Sequence, residues 1–328
     1  MVYAREEPQL RIAVLGAGVV GLTAAIRLRE AGHEVVVFAD RISPETLASD
    51  RAGAIWFPWK VAGDRVRGWA RESYQVLEGL VALPRAGVIR NEMLEYFRTD
   101  PGPDPWWAEL VPNFERLDSA ACPAGYVAGF RAPTLVIDCP VYMPFLMDRL
   151  RGELGCRVIR RRVEALQELC DEFPMVVNCG GLEEGMLANE GAHMFPRAGH
   201  TVRITPLAPG TPCVLDESDA RELTYVIPRS SDCMLGGTDY ENSADTTPDR
   251  AIADRILERC ACLVPSVRAA DELELRVGVR PGRRGGEVRL DGPIALRASS
   301  IVTCVGHGGV GHTLAWGCAR EIVSRVEG

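Results

Sequence analysis

Arg11-Ile12-Ala13-Val14-Leu15 runs directly into Gly16-Ala17-Gly18-Val19-Val20-Gly21, and this junction decides the fold. The first five residues have the length and apolar character of a strand. The G-x-G-x-x-G that follows opens a helical run with apolar positions at Leu22, Ala25, Ile26 and Leu28. Gly32 stands where a helix C-cap belongs. A second apolar strand, Val35 to Phe38, leads to Asp40, 19 residues beyond Gly21. An acid about 20 positions past the glycines suits a ribose hydroxyl. Gly16 permits the tight turn, Gly18 lets backbone approach a pyrophosphate, and Gly21 lets helix and strand pack closely. The pyrophosphate would meet free amides at the positive end of the helix dipole. A plain βαβ unit with a glycine-rich turn would leave Asp40 unexplained, so the stretch reads as dinucleotide-binding.

The 328 residues are 47% apolar and 25% charged, which is globular composition with length for two domains. A net charge of −8 supplies no general basic field, so nucleic acid and membrane surfaces are not expected partners. Arg157 and Arg160 to Arg162 form a local basic patch, read as a solvated strand edge. The first ten residues lack an apolar signal core, no stretch has the length of a membrane span, and Arg325-Val326-Glu327-Gly328 carries no organelle address. The expectation is a cytoplasmic protein. The 11 cysteines are scattered without C-x-x-C, and Cys260 and Cys262 have the wrong spacing for a zinc knuckle. They read as reduced, mostly buried thiols. The five histidines make no H-E-x-x-H, and G-x-S-x-G is absent. No metal site and no serine hydrolase are expected.

Further along, residues 60–135 are rich in Trp, Pro and Arg (Trp69, Trp106, Trp107, Pro101, Pro103, Pro105) and read as loops and short strands laid over another domain. A helical run from Val141 to Arg151 precedes two apolar strands, the second being Met175-Val176-Val177-Asn178 with Cys179-Gly180-Gly181 after it. Residues 201–280 alternate as strands. The tail is a strand from Ser300, a glycine loop from Gly306 to Gly311, and a helix from Thr313 to Val326. That late loop offers a second set of amides at a helix N-terminus. A simple NAD-dependent dehydrogenase has no use for it, whereas an extended FAD-binding domain does. A non-catalytic nucleotide-binding protein remains an alternative.

Several segments together resemble the D-amino-acid oxidase family of FAD-dependent flavoenzymes, over nearly the whole length. Ala39-Asp40-Arg41 resembles the family's adenosine-ribose contact, and residues 49–59, from Ser49 to Trp59, the segment along the flavin. The strand around Val163 and the Asn178-Cys179-Gly180-Gly181 turn resemble the adenine side. Tyr225 to Pro228 with Leu235-Gly236-Gly237 resembles the substrate hairpin, residues 278–286 the arginine segment, and residues 306–321 the C-terminal signature. The resemblance implies an α/β fold in which a Rossmann-type FAD-binding domain (residues 1–60, 136–200 and 281–328) is interleaved with a mixed β-sheet substrate-binding domain (61–135 and 201–280). It implies non-covalent FAD held by Gly16, Ala17, Gly18, Val19, Val20, Gly21, Asp40, Arg41, Ser49, Gly53, Ala54, Ile55, Val163, Cys179, Gly180, Gly308, Gly309, Val310, Gly311, His312 and Thr313.

In chemical terms, it implies oxidative deamination of a D-amino acid by dioxygen. Arg280 would clamp the substrate carboxylate, because its planar fork matches a carboxylate bidentately. Tyr225 would add a phenolic donor, and the Gly309 carbonyl would hold the amine. His307 and His312 read as structural contacts of the flavin loop. Two departures bear on substrate. The segment before Tyr225 is short and carries Arg221 where some members have a second tyrosine, so a lid is expected to be reduced. Asp239 stands where the D-aspartate oxidase branch tends to have arginine, which argues against acidic substrates and for neutral ones; Arg221 would pull the other way if it faced the pocket, and the two could instead pair and leave the pocket neutral. A glycine or secondary-amine oxidase, or a D-aspartate or D-glutamate oxidase, stays an alternative, and a homodimer is left open.

Overall fold

The computed structural model describes residues 9–44, 48–183, 187, 193–286 and 288–328. The N-terminal segment 1–8 lies outside them. The opening stretch folds as read: β1 (Arg11–Leu15) passes through the glycine turn into α1 (Val19–Glu30) and returns as β2 (Glu34–Ala39), parallel to β1. Gly16 has a φ of +106°, and a Cβ there would stand 2.6 Å from the Cys179 carbonyl oxygen. A Cβ on Gly21 would collide with the Gly16 carbonyl oxygen, which is the close helix–strand packing the motif requires. Gly32, at φ +93°, ends the helix, with the His33 amide donating back to Leu28 O at 3.1 Å.

Two sheets form around different cores. The first has six strands, in the order β14 (Arg289–Leu296), β15 (Ser299–Val305), β7 (Met175–Asn178), β1, β2 and β6 (Arg157–Arg160), parallel apart from edge strand β14. The strands β1 and β2 are buried nearly throughout, as a parallel sheet covered on both faces should be. The second sheet has nine strands. Its order is β12 (Tyr240–Glu241), β8 (Met194–Ile204), β11 (Cys233–Gly236), β10 (Thr224–Pro228), β9 (Cys213–Asp216), β3 (Val88–Phe97), β5 (Ala128–Ile137) and β4 (Glu115–Asp118), with β13 (Glu272–Arg283) also pairing β8. β8 begins at Met194 and β13 ends at Arg283, so strands of the second sheet run past the expected boundaries at 200 and 280.

Among the described residues, four further helices of ten or more residues complete the framework: α2 (Asp64–Leu80), α3 (Cys139–Asp148), α4 (Arg250–Leu263) and α5 (Gly311–Glu327). α2 corrects the reading of residues 60–135 as loops and short strands. Its buried positions Val66, Trp69, Ala70, Ser73, Leu77 and Leu80 follow the three-and-four spacing of a helix. It packs on α5 so closely that a Cβ on Gly317 would overlap the Trp69 backbone. α4 was likewise not foreseen among the strands of 201–280. The basic patch is an edge as expected, with Arg161 paired to Glu168 and Glu172 and Arg162 to Glu164. No helix among the described residues is long and apolar enough to cross a membrane.

Candidate active site

A cavity of about 640 Å³ opens where the carboxyl ends of β1, β2 and β7 face the second sheet. Ligand crevices of open parallel sheets lie at this end. On the six-stranded side the wall is drawn from the two glycine loops and the segments around them. It includes Gly16 to Val20, Asp40 and Arg41, Ser49, Gly53 to Ile55, Cys179 and Gly180, and Gly308, Gly309, Gly311 and His312. These residues are far apart in the chain, yet the sequence reading grouped them. Four expected contacts do not reach the wall. Gly21 faces the Gly16 backbone, and Val163 is buried in the core among Phe38 and Phe173. Val310 packs in the main core, and Thr313 spends its hydroxyl on the carbonyl oxygen of Phe57 at 3.0 Å.

The first helix N-terminus is prepared by Ser49, whose Oγ accepts from the Val19 amide at 3.0 Å. His312 lies in the first turn of α5, just past the second glycine loop, with Nε2 3.1 Å from Ser49 O. A carbonyl can only accept, so Nε2 carries the proton and Nδ1 is a bare acceptor. That Nδ1 is buried without a partner among the described residues. Burial drives the His312 pKa down to about 4, so the ring is neutral at physiological pH. Glycine cradles at Gly16 and Gly18, a second helix N-terminus at Gly311 and an orphaned acceptor in the wall fit a dinucleotide such as FAD.

His307 is buried, and its Nε2 lies 3.8 Å from Cys304 Sγ and 3.6 Å from Cys318 Sγ. The three side chains form a compact cluster of metal-ligand type. It has no signature in the sequence, because its members sit on β15, the glycine loop and α5 without a spacing motif. The cysteines are otherwise as expected, free and mostly buried. All but Cys122 and Cys262 are buried, and none forms a disulfide.

On the nine-stranded side the wall is made of side chains. Arg280, from β13, lies flat over Gly199 on β8, where a Cβ would stand 2.6 Å from its Cζ. Its Nη1 donates to Thr238 O at 3.1 Å and lies 3.6 Å from Asp239 Oδ1. Tyr225, from β10, sits over Gly236 and Gly237 beside Arg280. Burial raises the Tyr225 pKa, and the Arg280 cation pulls it back. Trp59 covers Gly309, with a Cβ there 2.7 Å from its Cε3. Lys60 stands over the indole at 4.4 Å. Trp59, the last residue of the segment that resembles the flavin stretch, is thus a site residue that the resemblance did not single out.

The question left open for Asp239 and Arg221 has a geometric answer: neither lines the cavity, and Arg221 is exposed as its polar segment implied. Asp239 is buried and does not line the cavity. It takes a bidentate pair from Arg197, with Nε at 3.0 Å, and lies 3.7 Å from Lys60 Nζ. Its charge is thus spent holding cations. Arg221 neither lines the cavity nor pairs with Asp239 through its side chain. It is exposed and stacks on Tyr240 at 5.3 Å, while its carbonyl accepts from the Asp239 amide at 2.9 Å. The acid that does line the substrate side is Glu217, which sequence reasoning passed over. The connection from β9 to β10 is only residues 217–223, matching the expected reduced lid.

A profile of FAD-dependent oxidoreductases matches residues 11–325. The D-amino-acid oxidase of Rubrobacter xylanophilus is 42% identical over 313 residues, covering 95% of this chain and 94% of the relative. The human D-aspartate oxidase is 33% identical over 330 residues, covering 96% and 94%. Glycine oxidase of Bacillus cereus superposes with a TM-score of 0.81 over 97% of both chains at 17% identity, a likeness of fold. Two glycine loops, an acid on the second strand and an arginine in one cavity agree with these matches, and the chain belongs to the D-amino-acid oxidase family of FAD-dependent oxidoreductases.

Proposed function

We propose that this protein holds FAD non-covalently in the cavity and oxidises D-amino acids to 2-oxo acids, releasing ammonia and hydrogen peroxide. The observation that carries the reading is Arg280, a cation on the wall that faces both glycine loops. On this reading the six-stranded half holds the cofactor through the residues of the two loops, Asp40, Arg41 and Ser49, and the nine-stranded half holds the substrate. Bound FAD supplies a two-electron acceptor for the substrate α-hydrogen and passes those electrons to dioxygen.

The remaining work falls to the chain. Arg280 presents its planar fork to the α-carboxylate, and Tyr225 adds a hydroxyl donor to the same group. The Gly309 carbonyl accepts from the substrate amine. Trp59 closes that corner against water. With carboxylate and amine both fixed, one enantiomer turns its α-hydrogen toward the cofactor and the other turns it away. The reaction balances as amino acid, dioxygen and water giving 2-oxo acid, ammonia and hydrogen peroxide.

The test is anaerobic titration of the purified yellow protein. D-alanine, D-methionine and D-valine should bleach the flavin while the L-forms, glycine and sarcosine leave it oxidised. A bound flavin that no D-amino acid reduces would overturn the reading. Acid precipitation should release the colour into the supernatant, whereas a yellow pellet would refute non-covalent binding.

A further inference from the structure

We propose that Glu217 reads the substrate side chain, so that the preferred D-amino acids end in a cation, as ornithine, lysine and arginine do. This rests on the reading of the cavity as a D-amino-acid site and adds the substrate class. Strand register brings the wall together. Leu215 on β9 pairs Tyr225 on β10 on one side and Glu95 on β3 on the other. Glu217 follows two residues later, and Leu215, Leu223, Tyr225, Arg280 and Glu217 all line the cavity. A wall that carries α-carboxylate anchors, leucines and a further carboxylate matches an amino acid whose aliphatic stem ends in a positive charge. The other two carboxylates of the wall, Asp40 and Glu183, belong to the β2 end, where Glu183 meets Arg41.

The charges around Glu217 leave it available. Asp239 is neutralised by Arg197, and Lys60 is drawn to Asp239 and to solvent. Asp216 is held by Tyr126 at 2.5 Å and by Arg98 at 3.4 Å. The Trp59 indole N–H, which meets no acceptor in good geometry, faces the Glu217 carboxyl. Glu95 lies behind, buried, and holds a proton up to about pH 8 because burial and Glu217 both disfavour its charge. Burial likewise raises Glu217, with Trp59 and Lys60 opposing, to about 7. The subsite is therefore anionic in mildly alkaline solution and loses its charge as pH falls below 7.

The experiment compares kcat/KM for D-lysine and D-ornithine with that for D-norleucine, which has the D-lysine stem without its amine, on the FAD-loaded protein at pH 6 and pH 8.5. At pH 8.5 the cationic substrates should lead by about tenfold or more, the scale of one charge-assisted hydrogen bond. The lead should shrink at pH 6, and Glu217→Gln should remove it. Glu217→Arg should turn the preference toward D-glutamate. A wild-type ratio of one or less at pH 8.5, or a ratio unchanged in Glu217→Gln, overturns the proposal. Should the Gln variant fail to load FAD, the wild-type ratio and its pH dependence still decide. If D-norleucine and D-alanine are oxidised without a cationic preference, this inference alone fails. If no D-amino acid reduces the flavin, the reading beneath it fails instead.

Discussion

Along the six-stranded side the cavity is lined by the residues of two glycine loops, Gly16 to Val20 and Gly308, Gly309 and Gly311, whereas along the nine-stranded side it is lined by Arg280, Tyr225, Trp59 and Glu217. Backbone amides at helix ends recognise a phosphate whatever the neighbouring side chains are, provided no Cβ intrudes. Side chains recognise a substrate only when strand register aims them. The first wall should therefore fail in an all-or-none manner when a methyl group is added. The second should fail by degrees, residue by residue.

The sharpest test of that contrast sets Gly21→Ala, which acts on the first wall through the Gly16 turn behind it, against Arg280→Leu. A Cβ on Gly21 meets backbone, the Gly16 carbonyl, which cannot move without opening the turn. Gly21→Ala should lose FAD, giving a colourless or insoluble protein by absorbance at the flavin bands. Arg280→Leu should keep its colour and lose roughly 10²-fold in kcat/KM for D-alanine, since a charge-assisted pair and the desolvated substrate carboxylate are both affected. Gly199→Ala should be milder than either. Its Cβ meets only the movable end of Arg280, so KM should rise about tenfold with FAD retained. An Arg280→Leu variant with normal kinetics would break the comparison at its centre.

The same contrast explains what was legible in the sequence. The turn at Gly16, the acid at Asp40, the late loop and the helix after it are local patterns, each specified within a few residues by φ, length and spacing. α2 was equally local, with Trp69 and Leu77 among a regular buried stripe, but the surrounding Pro, Trp and Arg drew attention from its period. The pairing of Asp239 with Arg197 was not legible, because it depends on β12 and β13 both lying on β8. Glu217 was hidden for the same reason: in a polar run between two strands, an acid reads as solvated surface until the register is known.

A buried carboxyl on the second wall should also make itself felt in stability. Glu95 is 6% exposed, and its pKa is raised to about 8 in the fold. A raised carboxyl binds its proton more tightly folded than unfolded. Its contribution is therefore present below the unfolded value near 4.5 and is lost as pH climbs toward 8. Denaturant melts of the FAD-loaded protein should show stability falling across that window. Glu95→Gln should gain on the wild type by about 1–3 kcal/mol between pH 5 and pH 8.5. Parallel profiles for the two proteins would mean that Glu95 titrates like a surface acid.

The smallest effect is expected at Arg221, the residue the sequence offered as the one able to reverse the substrate preference. It follows Asp219, whose carboxylate caps its amide at 2.8 Å, in the short connection into β10. What it gives the site is its carbonyl, which positions the Asp239 amide, and a carbonyl survives any substitution. Its guanidinium rests on Tyr240 in solvent, where a cation–π contact is worth about 0.5–1 kcal/mol and acts on the surface rather than the cavity. Arg221→Ala should therefore leave the ratio of kcat/KM between D-aspartate and D-alanine within about twofold of the wild type, the scatter ordinary for a surface change well under 0.5 kcal/mol. A larger fall in that ratio would mean that Arg221 swings inward to meet an acidic side chain, and the second wall would then be more mobile than its register implies.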